Sequence, residues 1–97
     1  MAWTIDYTDT AKEQLRKLDK PVARRIVDFM DERIAEADNP RQTGKALTGS
    51  LGGLWRYRVG DYRVICDIQD EVLRVLVVQV GNRTKNRGQT TVFQSIP

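Results

Sequence analysis

Polar and apolar positions along the chain fall into three rhythms. From Ala2 to Tyr7, the residues Trp3, Ile5 and Tyr7 alternate with polar neighbours, the period of a strand with one buried face, at or near the edge of a sheet. The spacing then widens. Ala11, Leu15 and Leu18 share one face of a short helix that Thr8 or Thr10 can cap, Thr10 with Glu13 in a capping-box arrangement. Asp19-Lys20-Pro21 restarts the pattern, because proline suits the first turn of a helix and not its interior. Val22, Ile26, Phe29, Met30, Ile34 and Ala37 keep helical spacing until Asn39-Pro40 ends it. Residues 41–53 have no period and read as a connecting loop that carries Arg41 and Lys45. The third rhythm begins with LWRYRVGDYRVICDI, two alternating runs joined by the hairpin signal Gly60-Asp61. After a turn at Gln69-Asp70, VLRVLVVQV is nearly continuous in apolar residues, as in a central strand covered on both faces. The pattern predicts an α+β fold in the order strand, two helices, three strands: an antiparallel sheet of about four strands with an N-terminal helical hairpin on one face.

Ninety-seven residues, 40% hydrophobic and 30% charged, suit a single folded domain over residues 1–97. The tail NRGQTTVFQSIP has weak period, so residues 86–97 carry no assigned element. The longest apolar run, Val72 to Val80, is far too short to span a bilayer, and the opening MAWTIDYTD has no basic stretch followed by an apolar one. The expected compartment is the cytoplasm. The single cysteine, Cys66, excludes an internal disulfide and reads as a core thiol. The absence of histidine is more informative, since it removes Ser-His and Cys-His pairs, histidine general bases and most zinc sites. Neither a metal nor a cofactor is expected, and chemistry must rest on Arg, Lys, Tyr or carboxylates. Charge is also uneven: residues 1–40 carry a net −2 and residues 41–97 a net +5, with no acid after Glu71. Such a basic half suits a polyanionic partner, or is an ordinary solvated surface.

The hairpin sharpens that choice. With Gly60 and Asp61 as a two-residue loop, Tyr57 pairs with Val64 and Trp55 with Cys66 on an apolar face, while Arg58 stands opposite Arg63 on the other, with Arg56 two residues along. Like charges directly opposed across a sheet are destabilising. A bound phosphate, gripped by planar guanidinium forks, explains the arrangement; the alternative is a solvated face whose arginines splay apart or pair with Asp61, Asp67 or other carboxylates. The last strand ends in Val80-Gly81-Asn82-Arg83, followed by Lys85 and Arg87, and Arg83 is placed to join the cluster.

The pattern W-x-x-x-x-G-x-YR-V-x-x-x-I, followed by V-x-x-V-G-x-R at the end of the final strand and preceded by a strand and a helical hairpin, resembles the RelE/ParE superfamily of type II toxins over roughly residues 1–85. The RelE branch implies an endoribonuclease that enters the ribosomal A site and cuts mRNA without metal, a ribose 2′-hydroxyl attacking the adjacent phosphate. By that resemblance Arg56, Arg58, Arg63 and Arg83 are the catalytic set, and Lys45, Lys85 and Arg87 are expected to bind RNA. A cognate antitoxin, acidic and partly disordered, is implied as partner beside the ribosome and its mRNA; no helix of this chain resembles a DNA reader. Many relatives follow the strand end with a tyrosine as proton-transfer group. Here Asn82 fills the variable position and no tyrosine lies near Gln89, only Phe93 beyond it, which leaves Lys85, Tyr57 and Tyr62 as weak substitutes. A ParE-type gyrase inhibitor and an attenuated, non-catalytic RNA-binding relative are the alternatives on the same fold.

Overall fold

A computed structural model describes residues 2–82. Strand β1 (Thr4–Tyr7) leads into helices α1 (Asp9–Arg16) and α2 (Lys20–Phe29), and strands β2 (Lys45–Ala46), β3 (Trp55–Val59), β4 (Tyr62–Gln69) and β5 (Arg74–Asn82) follow. The five strands form one sheet in the order β1-β5-β4-β3-β2. The α+β class and the helical hairpin stand as the sequence predicts, with α1 and α2 laid on one face. Within that class the sheet differs from an antiparallel four-stranded one. β1 pairs in parallel with β5, Thr4 beside Arg74 and Tyr7 beside Val77, so the sheet is mixed. Parallel neighbours need a long crossover, and everything from α1 to β4 supplies it. The fifth strand, β2, lies in the segment expected to be a featureless loop, where two residues are too few to show a period.

Each helix begins with local chemistry. The Thr8 hydroxyl accepts from the Ala11 N–H at 3.1 Å and donates to the Val78 carbonyl at 3.3 Å, so Thr8, and not Thr10, caps α1 and ties it to β5. Pro21 sits in the first turn of α2, after Asp19 at the cap. α2 widens into a π-helical turn over Met30–Ile34, where the Ala35 N–H reaches back five residues to the Met30 carbonyl. The Ala35 carbonyl accepts from the Trp3 N–H at 2.7 Å, which joins the end of this helix to the start of β1. Ala11, Ile26, Met30 and Ile34 are fully buried against Tyr57, Val64, Cys66, Val75 and Val77 of the sheet, and this layer is the core. Among the described residues no helix is long and apolar enough to cross a membrane.

The nearly continuous apolar run of β5 has a specific cause. Ile65 pairs with Gln79 and Cys66 with Val77, so Val78 is an extra residue, a β-bulge. The bulge shifts the alternation by one: Val75 and Val77 face the core before it and Val80, opposite Val64, faces the core after it. A backbone group freed from the ladder is met from outside the sheet, since the Val80 N–H donates to Gln14 Oε1 on α1 at 2.6 Å.

Candidate RNA-binding face

The face of the sheet away from the helices is built in part by the β3–β4 hairpin. Gly60 takes φ 62°, while Asp61 stays at negative φ, the combination a two-residue turn with glycine first requires. A side chain at Gly60 would also approach Arg25 Nη1 to 3.2 Å, since that guanidinium lies against the turn. The turn fixes the register that the sequence predicts: Val59 opposite Tyr62, Arg58 opposite Arg63, Tyr57 opposite Val64, Arg56 opposite Ile65 and Trp55 opposite Cys66. Arg58 and Arg63 therefore point to the same side from adjacent strands, with Cβ atoms about 5 Å apart. Arg56 lies about 7 Å along β3 on that side. Gly81 of β5 is the partner of Arg63, so the next strand offers no side chain to crowd the pair.

Neither Asp61 nor Asp67 forms an ion pair with this cluster; Asp67 instead accepts from the Gln69 amide at 3.0 Å. Arg58 is exposed and has no ion-pair partner among the described residues. Of the expected RNA contacts, Lys45 lies among the described residues: β2 pairs it with Arg56, so it joins the same face one strand beyond the hairpin. A lysine in a polar loop gave no such signal, and only the backbone pairing reveals it. Arg83, Lys85 and Arg87 lie outside the described residues.

Two other arginines are held by carboxylates. Arg41 donates to both oxygens of Asp70, at 2.9 and 2.7 Å, and its guanidinium lies 5.8 Å from the centre of the Trp55 ring. That hydrogen bonding raises the Arg41 pKa and lowers that of Asp70. Arg74 donates to Gln69 at 2.8 Å and to Asp6 at 3.4 Å.

The two tyrosines considered for proton transfer lie on the opposite side of the sheet. The Tyr57 hydroxyl donates to the Pro40 carbonyl at 2.7 Å, and burial pushes its pKa well above the usual phenol range. Tyr62 is half-buried against the core, beside a cavity of about 250 Å³ on the helix side of the turn, lined by Val22, Arg25 and Ile26 among others. Cys66 is fully buried and desolvation pushes its thiol pKa up, as befits a core residue.

The sequence model for the ParE toxin of parDE type II toxin-antitoxin systems matches residues 5–87. Toxin RelE of Mycobacterium tuberculosis is 35% identical over 80 residues, covering 82% of this chain and 80% of the relative, and Toxin RelG of the same organism is 31% identical over 83 residues, covering 86% and 93%. The fold superimposes on the RelBE2 toxin-antitoxin complex of M. tuberculosis with a TM-score of 0.79 at 30% identity, covering 86% of this chain and 93% of the other. An arginine double mutant of Escherichia coli RelE, in the free state, matches with a TM-score of 0.73 over 99% of this chain and 95% of its own; at 21% identity this likeness is one of fold. This chain belongs to the RelE/ParE superfamily and is the toxin of a type II toxin-antitoxin system.

Proposed function

We propose that this toxin is a ribosome-dependent endoribonuclease that cleaves mRNA in the A site without metal. The observation that carries the reading is the register that sets Arg58 directly opposite Arg63, with Arg56 on the same side of the sheet and Arg58 exposed. A phosphate fits there. Attack of a ribose 2′-hydroxyl forms a new P–O bond, breaks the bond to the 5′-oxygen of the next nucleotide, and leaves a 2′,3′-cyclic phosphate. Arg58 and Arg63 hold the non-bridging oxygens as their charge grows, and Arg56 and Arg83 supply the flanking positive charge. With Tyr57 and Tyr62 turned to the other side of the sheet, the proton leaving the 2′-hydroxyl and the proton taken up by the 5′-oxygen exchange with water. Charge stabilisation then supplies most of the acceleration. The identity to relatives named RelE and RelG supports this branch.

Residues 1–97 act as one toxin domain in the cytoplasm, where its target lies, and Lys45, Lys85 and Arg87 extend the RNA contact. The partner is an acidic, partly disordered antitoxin that covers the basic half of the chain; the neighbouring solved structures of RelB–RelE complexes support such a partner. The test is primer extension on mRNA in a purified translation system. Cleavage at the A-site codon, lost in Arg63→Ala and in Arg83→Ala, supports the reading. Intact message accompanied by gyrase-linked DNA breaks sinks it and favours a ParE-type gyrase inhibitor, the reading suggested by the family model's own description.

A further inference from the structure

Lys45 reaches the basic face because the chain from Pro40 to Ala46 is turned by one local bond and held against the sheet and its β4–β5 turn at three places. Asn39 Oδ1 accepts from the Arg41 N–H at 3.0 Å and starts the 3-10 turn Pro40–Gln42. The buried Tyr57 hydroxyl holds the Pro40 carbonyl. Arg41 grips Asp70, in the turn between β4 and β5, with two hydrogen bonds, and lies over Trp55 of β3. Gly44 then passes so close to β3 that a Cβ there would come within 2.9 Å of both the Arg56 carbonyl oxygen and Tyr57 Cε1. The two paired residues of β2 follow at once, Lys45 beside Arg56 and Ala46 beside Trp55. A two-residue edge strand has little pairing energy of its own, so its register must come from these attachments.

The placement has a chemical consequence. From strand spacing and rise, the Lys45 backbone lies roughly 8 Å from Arg58 and roughly 12 Å from Arg63. That is too far for a lysine to share the phosphate centred between those two arginines, and suitable for the neighbouring phosphate of the same RNA strand. We propose that Lys45 forms a second phosphate-binding subsite on this face and that Arg41, through Asp70 and Trp55, is a positioning residue for it. The inference rests on the endoribonuclease reading and names how the RNA is held there. Arg41 itself contacts no RNA: its guanidinium is committed to a carboxylate and a ring, while Lys45 is exposed.

The experiment measures binding of the full-length toxin to ribosomes programmed with mRNA that carries a 2′-deoxy nucleotide at the cleavage position, over a range of salt concentrations. Cleavage of the unmodified message is followed in parallel. Lys45→Ala weakens binding roughly tenfold and reduces the salt slope by about one, as loss of one phosphate contact requires. Arg41→Lys and Asp70→Asn, both at exposed positions that leave the core untouched, weaken binding by roughly threefold or more. In the Lys45→Ala background they add nothing, because the group they position is gone. Arg58→Ala keeps its full effect in every background. An unchanged salt slope in Lys45→Ala, or additive losses from Lys45→Ala and Arg41→Lys, overturns the subsite while leaving wild-type cleavage intact. Wild-type toxin that neither binds programmed ribosomes nor cleaves their message overturns the endoribonuclease reading, and the subsite falls with it.

Discussion

Two ends of the sheet face that lies away from the helices hold their arginines differently. Where β1, β4 and β5 meet, Arg74 is hydrogen-bonded to Gln69 and Asp6, and the nearby Arg41 is bonded to Asp70. Where β3 and β4 turn at Gly60-Asp61, Arg58 faces Arg63 across the strands and the adjacent carboxylates stand apart. An arginine matched to a carboxylate in the folded chain has little left for a ligand, whereas Arg58, exposed and without an ion pair among the described residues, keeps its donors for an anion. The partnership of Arg74 and Arg41 on one side, and the exposure of Arg58 on the other, is what distinguishes the two ends.

The largest effect should come from breaking the binding end. Arg63→Ala or Arg58→Ala lowers single-turnover cleavage of ribosome-bound mRNA by about 100-fold or more, the cost of losing one preorganised donor to a developing charge. In Arg58→Ala thermal stability stays level or rises slightly as repulsion from Arg63 is relieved, which a melt followed by circular dichroism records. At the other end, Arg74→Gln leaves cleavage within twofold and shifts stability by no more than about 1 kcal/mol, since its pairs are solvent-exposed. Equal losses of cleavage at Arg74 and Arg58 would erase the distinction between the two ends.

Smaller effects test the tyrosine assignment and the clamp. Tyr57→Phe removes the bond to Pro40 and costs about 1–2 kcal/mol of stability in a denaturant titration. Its cleavage rate falls only a few-fold, against the 10²–10⁴ typical of a lost general acid or base. Asp70 has a lowered pKa because Arg41 bonds to its ionised form, so the clamp adds stability above the ordinary carboxylate range and loses it as pH falls through the folded value. Acid titration monitored by the Asp70 carboxyl carbon resonance should give a midpoint below that of the same group in Arg41→Lys. Cys66 should resist alkylation in the native protein and react at the rate of global unfolding, because it is completely buried.

The hairpin was the most legible part of the sequence. One glycine-containing turn with alternation on either side determines every cross-strand pair from Trp55–Cys66 to Val59–Tyr62. The helices were legible for the same reason, since their periods are local. Non-local pairing left no such trace. Nothing near Thr4 announces Arg74 as its neighbour, and nothing in Lys45-Ala46 announces a strand. The bulge at Val78 hid in plain view: the apolar run of β5 looked like a strand buried on both faces, whereas part of its continuity comes from a one-residue shift between faces. At the site, Arg56, Arg58 and Arg63 could be placed by register alone. Lys45 could be named but not placed, and Arg41, which the structure commits to Asp70, read only as another basic loop residue.

The parallel pairing of β1 with β5 also sets an order of events during synthesis. Thr4 and Arg74 are seventy residues apart, so the first strand made is among the last to find its place. Closing so long a loop carries an entropic cost that only the completed sheet offsets, and contacts of this range slow folding. The nascent chain cannot complete its sheet until β5 has left the ribosomal tunnel. The toxin fold thus stays unfinished until its last described strand has emerged.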